Sequence, residues 1–274
     1  MSIGCLMCWR STGTCSFKLM SLSEILQQTE HRPWQKPDAP WIMTQSWRDL
    51  LFAHWAIPAE KMRALLPPEL ELDTFEGSAW VGVVPFRMAG VRPRWLPAVP
   101  WLSAFPELNV RTYVRSRDPQ NPKPGVYFFS LEAANPLAVW IARTTFKLPY
   151  FNATMTCRDD GRQIHYRSER THRGAPPARF VGNYQPTGKP YLAQPATLEH
   201  WLTERYSLYT VDQGRVYIGE IHHIPWPLQP AAAEIEVNEM AAASGIELPN
   251  SAPLLHFVRR IDVAVWQLQR MKRV

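Results

Sequence analysis

The sequence predicts a mainly β (α+β) fold, and three observations predict it. Apolar runs are short, and several alternate with polar residues at the period of a strand. Twenty-six prolines punctuate them, which suits short strands and turns better than long helices. Two turn signals, Asp159-Asp160-Gly161 and Asp212-Gln213-Gly214, sit between strand-like segments as hairpin turns do. There is no βαβα rhythm and no repeat of about 20–50 residues. A mainly antiparallel sheet, closed or sandwiched, with three or four short helices is therefore expected.

At 274 residues and 46% hydrophobic content the chain can bury a large core, as one large β domain or two small ones. Aromatic residues at 12% and charged residues at 20% exclude a disordered body. The net charge of +6 admits an anionic partner or ligand. The basic residues are spread, however, and the densest stretch, residues 158–173, is interleaved with Asp159, Asp160 and Glu169. It reads as solvated surface, so no nucleic acid partner is expected. No run approaches the roughly 18–20 apolar residues of a membrane-spanning helix, so no membrane partner is expected either. Cys5, Cys8, Cys15 and Cys157 do not make a secreted disulfide framework, which points to a reducing, cytoplasmic setting. Self-association stays open.

In order along the chain, residues 1–29 read as a disordered tail. Their start lacks the apolar core of about 7–15 residues and the cleavage site of a signal peptide. Cys5-x-x-Cys8 has no second pair to complete a zinc site, and Met20 would serve as an alternative start. Residues 31–41 form an extended arm pinned by Trp34 and Trp41. A strand over 47–55 leads to a helix over 58–66, with Pro58 in its first turn and Pro67-Pro68 stopping it. Residues 70–74 and 79–86 make a hairpin-like unit. Residues 90–106, carrying Pro93, Trp95, Pro97, Pro100, Trp101 and Pro106, form a lid or a packed loop. Residues 107–116 alternate cleanly: Leu108, Val110, Thr112 and Val114 face one way, and Glu107, Asn109, Arg111, Tyr113 and Arg115 the other. An apolar strand over 126–133 precedes Asn135-Pro136, which caps a helix over 137–146. Hairpins follow at 154–168 and 208–221, with a helix capped by Thr197 over 198–205 between them. An alanine-rich helix over 238–244 and a long strand over 255–268 complete the chain.

The segments HRPW, PWIMTQSWRDLLFAHW, LDTFEGSAWVGVVPFRM, ELNVRTYV, GVYFFSLEA and RTTFKLPYFNATM, in this order, resemble the YqjF-like family of uncharacterised proteins (domain of unknown function 2071). The resemblance runs from about residue 30 to the end and implies one domain over 30–274. That family is similar in fold to acetoacetate decarboxylase, which implies a closed β-barrel-like core with a small internal cavity. The decarboxylase carries a Schiff-base lysine, with a second lysine beside it, on a Gly-Tyr-Pro-Lys-Lys type segment. Here Phe146-Lys147-Leu148-Pro149-Tyr150-Phe151 aligns with that segment, so Tyr150 and Phe151 replace both lysines. Asn109 stands where a glutamate would be. A Schiff base needs an unprotonated primary amine, so acetoacetate decarboxylase activity is not expected. Lys147, before the proline rather than after it, is the alternative amine.

The ligand-binding candidates are Asn109, Arg111, Glu132, Arg143, Lys147, Tyr150 and Asn152. Arg111, on the polar face of its strand, can grip a carboxylate if that face lines a barrel, or can sit in a surface pair. Glu132 interrupts an apolar strand; an Arg111–Glu132 buried pair is the favoured reading, a working acid the other. Arg143 and Lys147 line an anion pocket or form the solvated last turn of a helix. Tyr150 and Asn152 offer a hydrogen-bond donor and an orienting amide, or ordinary packing. Neither metal nor cofactor is expected. His222-His223 point to opposite faces of a strand, and His54, His165 and His256 are isolated. Three functions follow: a pocket for a small anionic or carbonyl-bearing ligand, a lyase or isomerase using Lys147, or a non-catalytic interaction protein using Trp95, Trp101 and the loop 90–106.

Overall fold

A computed structural model describes residues 20–97, 99, 102–118 and 122–271. Its strands are β1 (Met43–Ile57), β2 (Leu70–Leu72), β3 (Ala79–Pro93), β4 (Phe105–Ser116), β5 (Pro124–Ala133), β6 (Tyr150–Asp159), β7 (Ile164–Arg170), β8 (Arg179–Pro186), β9 (Ser207–Asp212), β10 (Arg215–His222), β11 (Gln229–Asn238), β12 (Leu254–Val265) and β13 (Gln269–Arg270). Its helices are α1 (Leu22–Gln27), α2 (Ala59–Leu65), α3 (Pro136–Thr145) and α4 (Leu198–Thr203). Thus the mainly β fold with short helices is what the chain adopts.

The sheet closes on itself twice. β5, β6, β7, β8, β11, β12, β1, β3 and β4 form a nine-stranded barrel. β12 also pairs with β10, and β9 joins β10 to β5, so the same five strands β12-β1-β3-β4-β5 complete a second, seven-stranded ring. Neighbours run antiparallel except β5 with β6 and β5 with β9, which are parallel.

Along most of its length the shared five-stranded wall is covered on both faces, and side chains alternate between two interiors. Leu51, Val83, Leu108, Val110 and Phe257 join Tyr166, Phe180 and Tyr184 of β7 and β8 in one core. Leu50, Phe52, Val84, Phe86, Leu131 and Val258 join Trp226 and Val139 of α3 in the other. Burial on both sides explains why β1, β3 and β5 read as near-continuous apolar runs.

Local chemistry sets the boundaries. Asn135 caps α3 by accepting from the Ala138 amide at 3.1 Å, and Pro136 occupies its first position. In the β9–β10 turn, Gln213 and Gly214 have φ of 51° and 66°, the geometry of a two-residue hairpin whose twist matches its strands.

Two expectations need correcting. Within the segment read as a tail, residues 22–27 form α1, capped by Ser21 and Glu24 with Ile25 buried; residues 1–19 lie outside the described residues. The alanine-rich helix over 238–244 is instead the end of β11 followed by a 3-10 turn, Ala242–Ser244. β11 pairs with β8 through Ala231 to Asn238, which takes Asn238 into the sheet, and Gly245 at a left-handed φ of 77° ends the turn after Ser244, leaving too few residues for an α-helix. Neither β8 nor β11 is evident in the sequence.

Candidate functional site

The seven-stranded ring holds a partly open cavity of about 240 Å³. Its walls are apolar, including Trp47, Phe86, Phe105, Phe128, Leu131, Trp226 and Val265. Ala138, Ile141, Ala142 and Phe146 of α3 and its C-terminal cap line one side, and Val91, Pro93 and Leu102 line part of the rest.

The polar content is concentrated. Glu107, Asn109 and Arg111 on β4 line the cavity, as do Tyr150 on β6 and Arg205 beyond α4. The alternation of β4 explains the first three: odd-numbered residues enter this ring, while Leu108 and Val110 enter the other core. The backbone makes room for Arg111. Gly82 lies between His54 and Arg111 in register, and a Cβ there would sit 3.0 Å from the His54 ring and 3.5 Å from the Arg111 Cγ. The Arg111 guanidinium carbon stands 5.1 Å from the Phe52 ring centre and 5.8 Å from that of Tyr113. Tyr113 is hydrogen-bonded to Nε2 of His54 at 2.7 Å. Burial and the Arg111 charge hold His54 well below its ordinary pKa, hence neutral.

Ion pairing sets two of these residues apart. Buried Asp49 is held by Arg87 and Arg259, Glu132 by Arg170, and Glu220 by Arg32 and Lys123. Buried Arg205 is held by Asp73 at 2.7 Å. Among the described residues, only Glu107 of the buried acids and Arg111 of the buried arginines lack an ion-pair partner, and both line the cavity. They do not pair with each other because four strand residues separate them by about 13–14 Å at Cα. Nε of Arg111, Nη2 of Arg205 and Oδ1 of Asn109 are buried without hydrogen-bond partners.

Glu107 accepts a hydrogen bond from the Tyr150 hydroxyl at 3.0 Å. Burial pushes its carboxyl up to about 8, with the Glu132 charge adding to this and the Tyr150 hydrogen bond opposing it. At neutral pH it is mostly a neutral acid, and the cavity carries the unbalanced charge of Arg111. Burial, and then Glu107, raises Tyr150 well above the ordinary phenol range.

Of the seven sequence candidates, the structure brings Asn109, Arg111 and Tyr150 together. Glu132 is a correction. It lies opposite Leu108 in the β4–β5 register, so it faces the other core, and its partner is Arg170 (Nε to Oε1, 2.9 Å) rather than Arg111. Arg143 does not line the cavity; it donates to the Tyr150 carbonyl at 2.6 Å and stands by Phe151. Lys147, at a left-handed φ of 52°, turns away to pair with Asp212 at 2.6 Å, and that hydrogen bond raises its pKa. A raised pKa opposes the free amine a Schiff base needs, and no lysine lines the cavity among the described residues. Asn152 also lies outside it, its backbone N–H donating to His172 Nδ1. Sequence reasoning missed Glu107 and Arg205. Glu107 shared the face of Asn109 and Arg111, so the signal was present. Arg205 follows a six-residue helix and carries no periodic signal.

Residues 44–262 match the family DUF2071, described as an uncharacterized conserved protein. Uncharacterized protein YqjF of Bacillus subtilis (strain 168) is 48% identical over 234 residues, spanning 85% of this chain and 94% of that protein. Acetoacetate decarboxylase from Legionella pneumophila superposes with a TM-score of 0.56 at 13% identity, over 94% of this chain and 98% of that one. Enduracididine biosynthesis enzyme MppR complexed with pyruvate gives 0.55 at 11% identity, over 89% and 95%. An acetoacetate decarboxylase-like enzyme from Sphingomonas wittichii RW1 gives 0.54 at 11%, over 85% and 94%. Identities this low establish a shared fold and nothing finer.

Proposed function

The chain belongs to the uncharacterised YqjF-like family DUF2071, and from that premise we propose that it binds a small carboxylate, with or without a carbonyl, in the cavity of the seven-stranded ring. The observation that carries this reading is Arg111, 8% exposed, without an acidic partner, on the wall of an apolar cavity. A buried charge without a counter-ion is costly, and an anionic ligand supplies one. Neutral Glu107 and Tyr150 can hydrogen-bond a ligand oxygen without repelling the anion. A pyruvate complex of the distantly related MppR supports small oxo acids as ligands suited to this fold. A cavity of about 240 Å³ suits ligands smaller than the drug-sized compounds that fill about 300–1,000 Å³.

Titration calorimetry with hexanoate and the neutral hexanamide at pH 7 tests the reading. Hexanoate should bind and hexanamide should not. Equal binding would remove the anion site.

One observation favours a second reading: Trp95, 84% exposed, and Leu96, 59% exposed, stand on the loop after β3, a surface suited to self-association. Trp101 lies outside the described residues. Light scattering of wild type and Trp95→Ser separates the two, since only the second reading predicts an assembly that the variant loses.

A further inference from the structure

We propose that Glu107 and Tyr150 form an acid–base pair that moves a proton at the carbon beside the carbonyl of a bound oxo acid. This inference rests on the anion-binding reading above and adds a reaction to it.

The geometry carries the case. An acid buried for structural reasons in this chain is given a cation, as Asp49, Glu132 and Glu220 are. Glu107 is instead given a phenol, 3.0 Å away, inside the ligand cavity. Glu107 comes from β4 and Tyr150 from β6, the strands on either side of β5, and the two side chains meet on one stretch of the cavity wall. Arg111 lies two strand repeats further along the same face of β4. An anchored carboxylate therefore holds a ligand chain running toward Glu107 along apolar walls.

The step balances without a further reagent. The ionised Glu107 carboxylate takes the proton, so the C–H bond breaks and an O–H bond forms. The electron pair moves through the new C=C bond onto the carbonyl oxygen. The Tyr150 hydroxyl, whose hydrogen bond to Glu107 weakens as that group becomes neutral, turns to donate to the enolate oxygen, the more basic acceptor. Return of a proton from Glu107 restores the ketone, with solvent hydrogen exchanged in when Glu107 has equilibrated with water. No amine and no oxidant takes part.

The separation of Arg111 and Glu107 also sets a preference. A ligand must span from guanidinium to carboxyl, so carbonyls several carbons from the carboxylate fit better than a 2-oxo acid.

Proton NMR in D2O with 2-, 4- and 5-oxohexanoate tests this, with affinity measured separately by calorimetry. Wild type should speed loss of the signal beside the carbonyl by about 100-fold or more over buffer, most with the 4- or 5-oxo acid. The rate at saturating ligand should rise with pH through a midpoint above about 8 and then level, because the bound carboxylate opposes ionisation of Glu107. Glu107→Gln, which keeps the shape and an acceptor for Tyr150, should bind but not exchange. Tyr150→Phe should bind and exchange more slowly. Binding without exchange in wild type, or exchange surviving in Glu107→Gln, overturns the proposal and leaves the anion site standing. Failure of all three acids and of hexanoate to bind overturns both.

Discussion

Arg111 and Glu107 make opposite demands on one small space, and pH separates them. Replacing Arg111 with Met removes a charge-assisted contact of about 1.5–3 kcal/mol. Hexanoate affinity should therefore fall by about 10–100-fold, with little loss of melting temperature, because no buried acid is stranded and Tyr113 keeps its hydrogen bond to His54. Glu107 predicts the pH dependence. Its folded-state pKa is raised to about 8, so the carboxyl is neutral below that and negative above it. Carboxylate affinity should hold between pH 6 and 7.5 and decline as pH rises through about 8 (calorimetry across that range reads it). A decline toward acid instead would contradict the assignment. A third residue tests positioning: Gly82→Ala puts a methyl 3.0 Å from the His54 ring. It should displace His54 and Arg111 and weaken hexanoate binding while the chain still folds.

At the scale of elements, one strand alternation divides the molecule's chemistry. Glu107, Asn109 and Arg111 face the cavity, while Glu132, on the neighbouring strand, faces the nine-stranded barrel and meets Arg170. Arg170→Met leaves the Glu132 carboxyl buried without its cation, and should cost about 3–5 kcal/mol of stability. The hexanoate affinity of the folded protein should be unchanged. Denaturant titration beside calorimetry separates the two effects. Much of this was legible in the sequence. The alternation over 107–116 put Glu107, Asn109 and Arg111 on one face, and Asn135-Pro136 and the Asp-Gln-Gly turn marked their elements. The partner of Glu132 was not legible, because nothing in a single strand says which of two buried faces meets which distant arginine. β11 was hidden for a related reason: a proline and three alanines leave QPAAAEIEVN with little strand signal, and its pairing with β8 makes it a strand.

At the scale of the whole molecule, double closure turns five strands into a wall between two interiors, and the N-terminal segment is fastened to the smaller ring by histidines. His222 Nε2 is hydrogen-bonded to the Ile25 carbonyl before the arm, and His31 Nε2 to the His223 carbonyl, each at 2.8 Å. Arg32 reaches the Ile221 carbonyl and Glu220, and Trp34 donates to Glu220. Burial lowers His31 and His223, and brings His222 down to about 4. A lowered folded-state pKa means the unfolded segment takes up protons first. The fastening is therefore complete above about pH 6.5 and is lost as pH falls through about 4. Limited proteolysis across that range should show cuts near residues 28–40 appearing on the acid side; uniform protection to well below pH 4 would contradict this. The closed barrel was legible as a class. The second ring was not, because it depends on β12 pairing with both β1 and β10.

The central claim is that a carboxylate sits against Arg111 with its apolar body inside the seven-stranded ring. A crystal grown with 6-bromohexanoate measures this directly through the anomalous signal of bromine. The account predicts a bromine peak within the cavity, among Phe86, Phe105 and Trp226, and carboxylate density at the Arg111 guanidinium. Bromine found only on the outer surface, with the cavity empty, would contradict it.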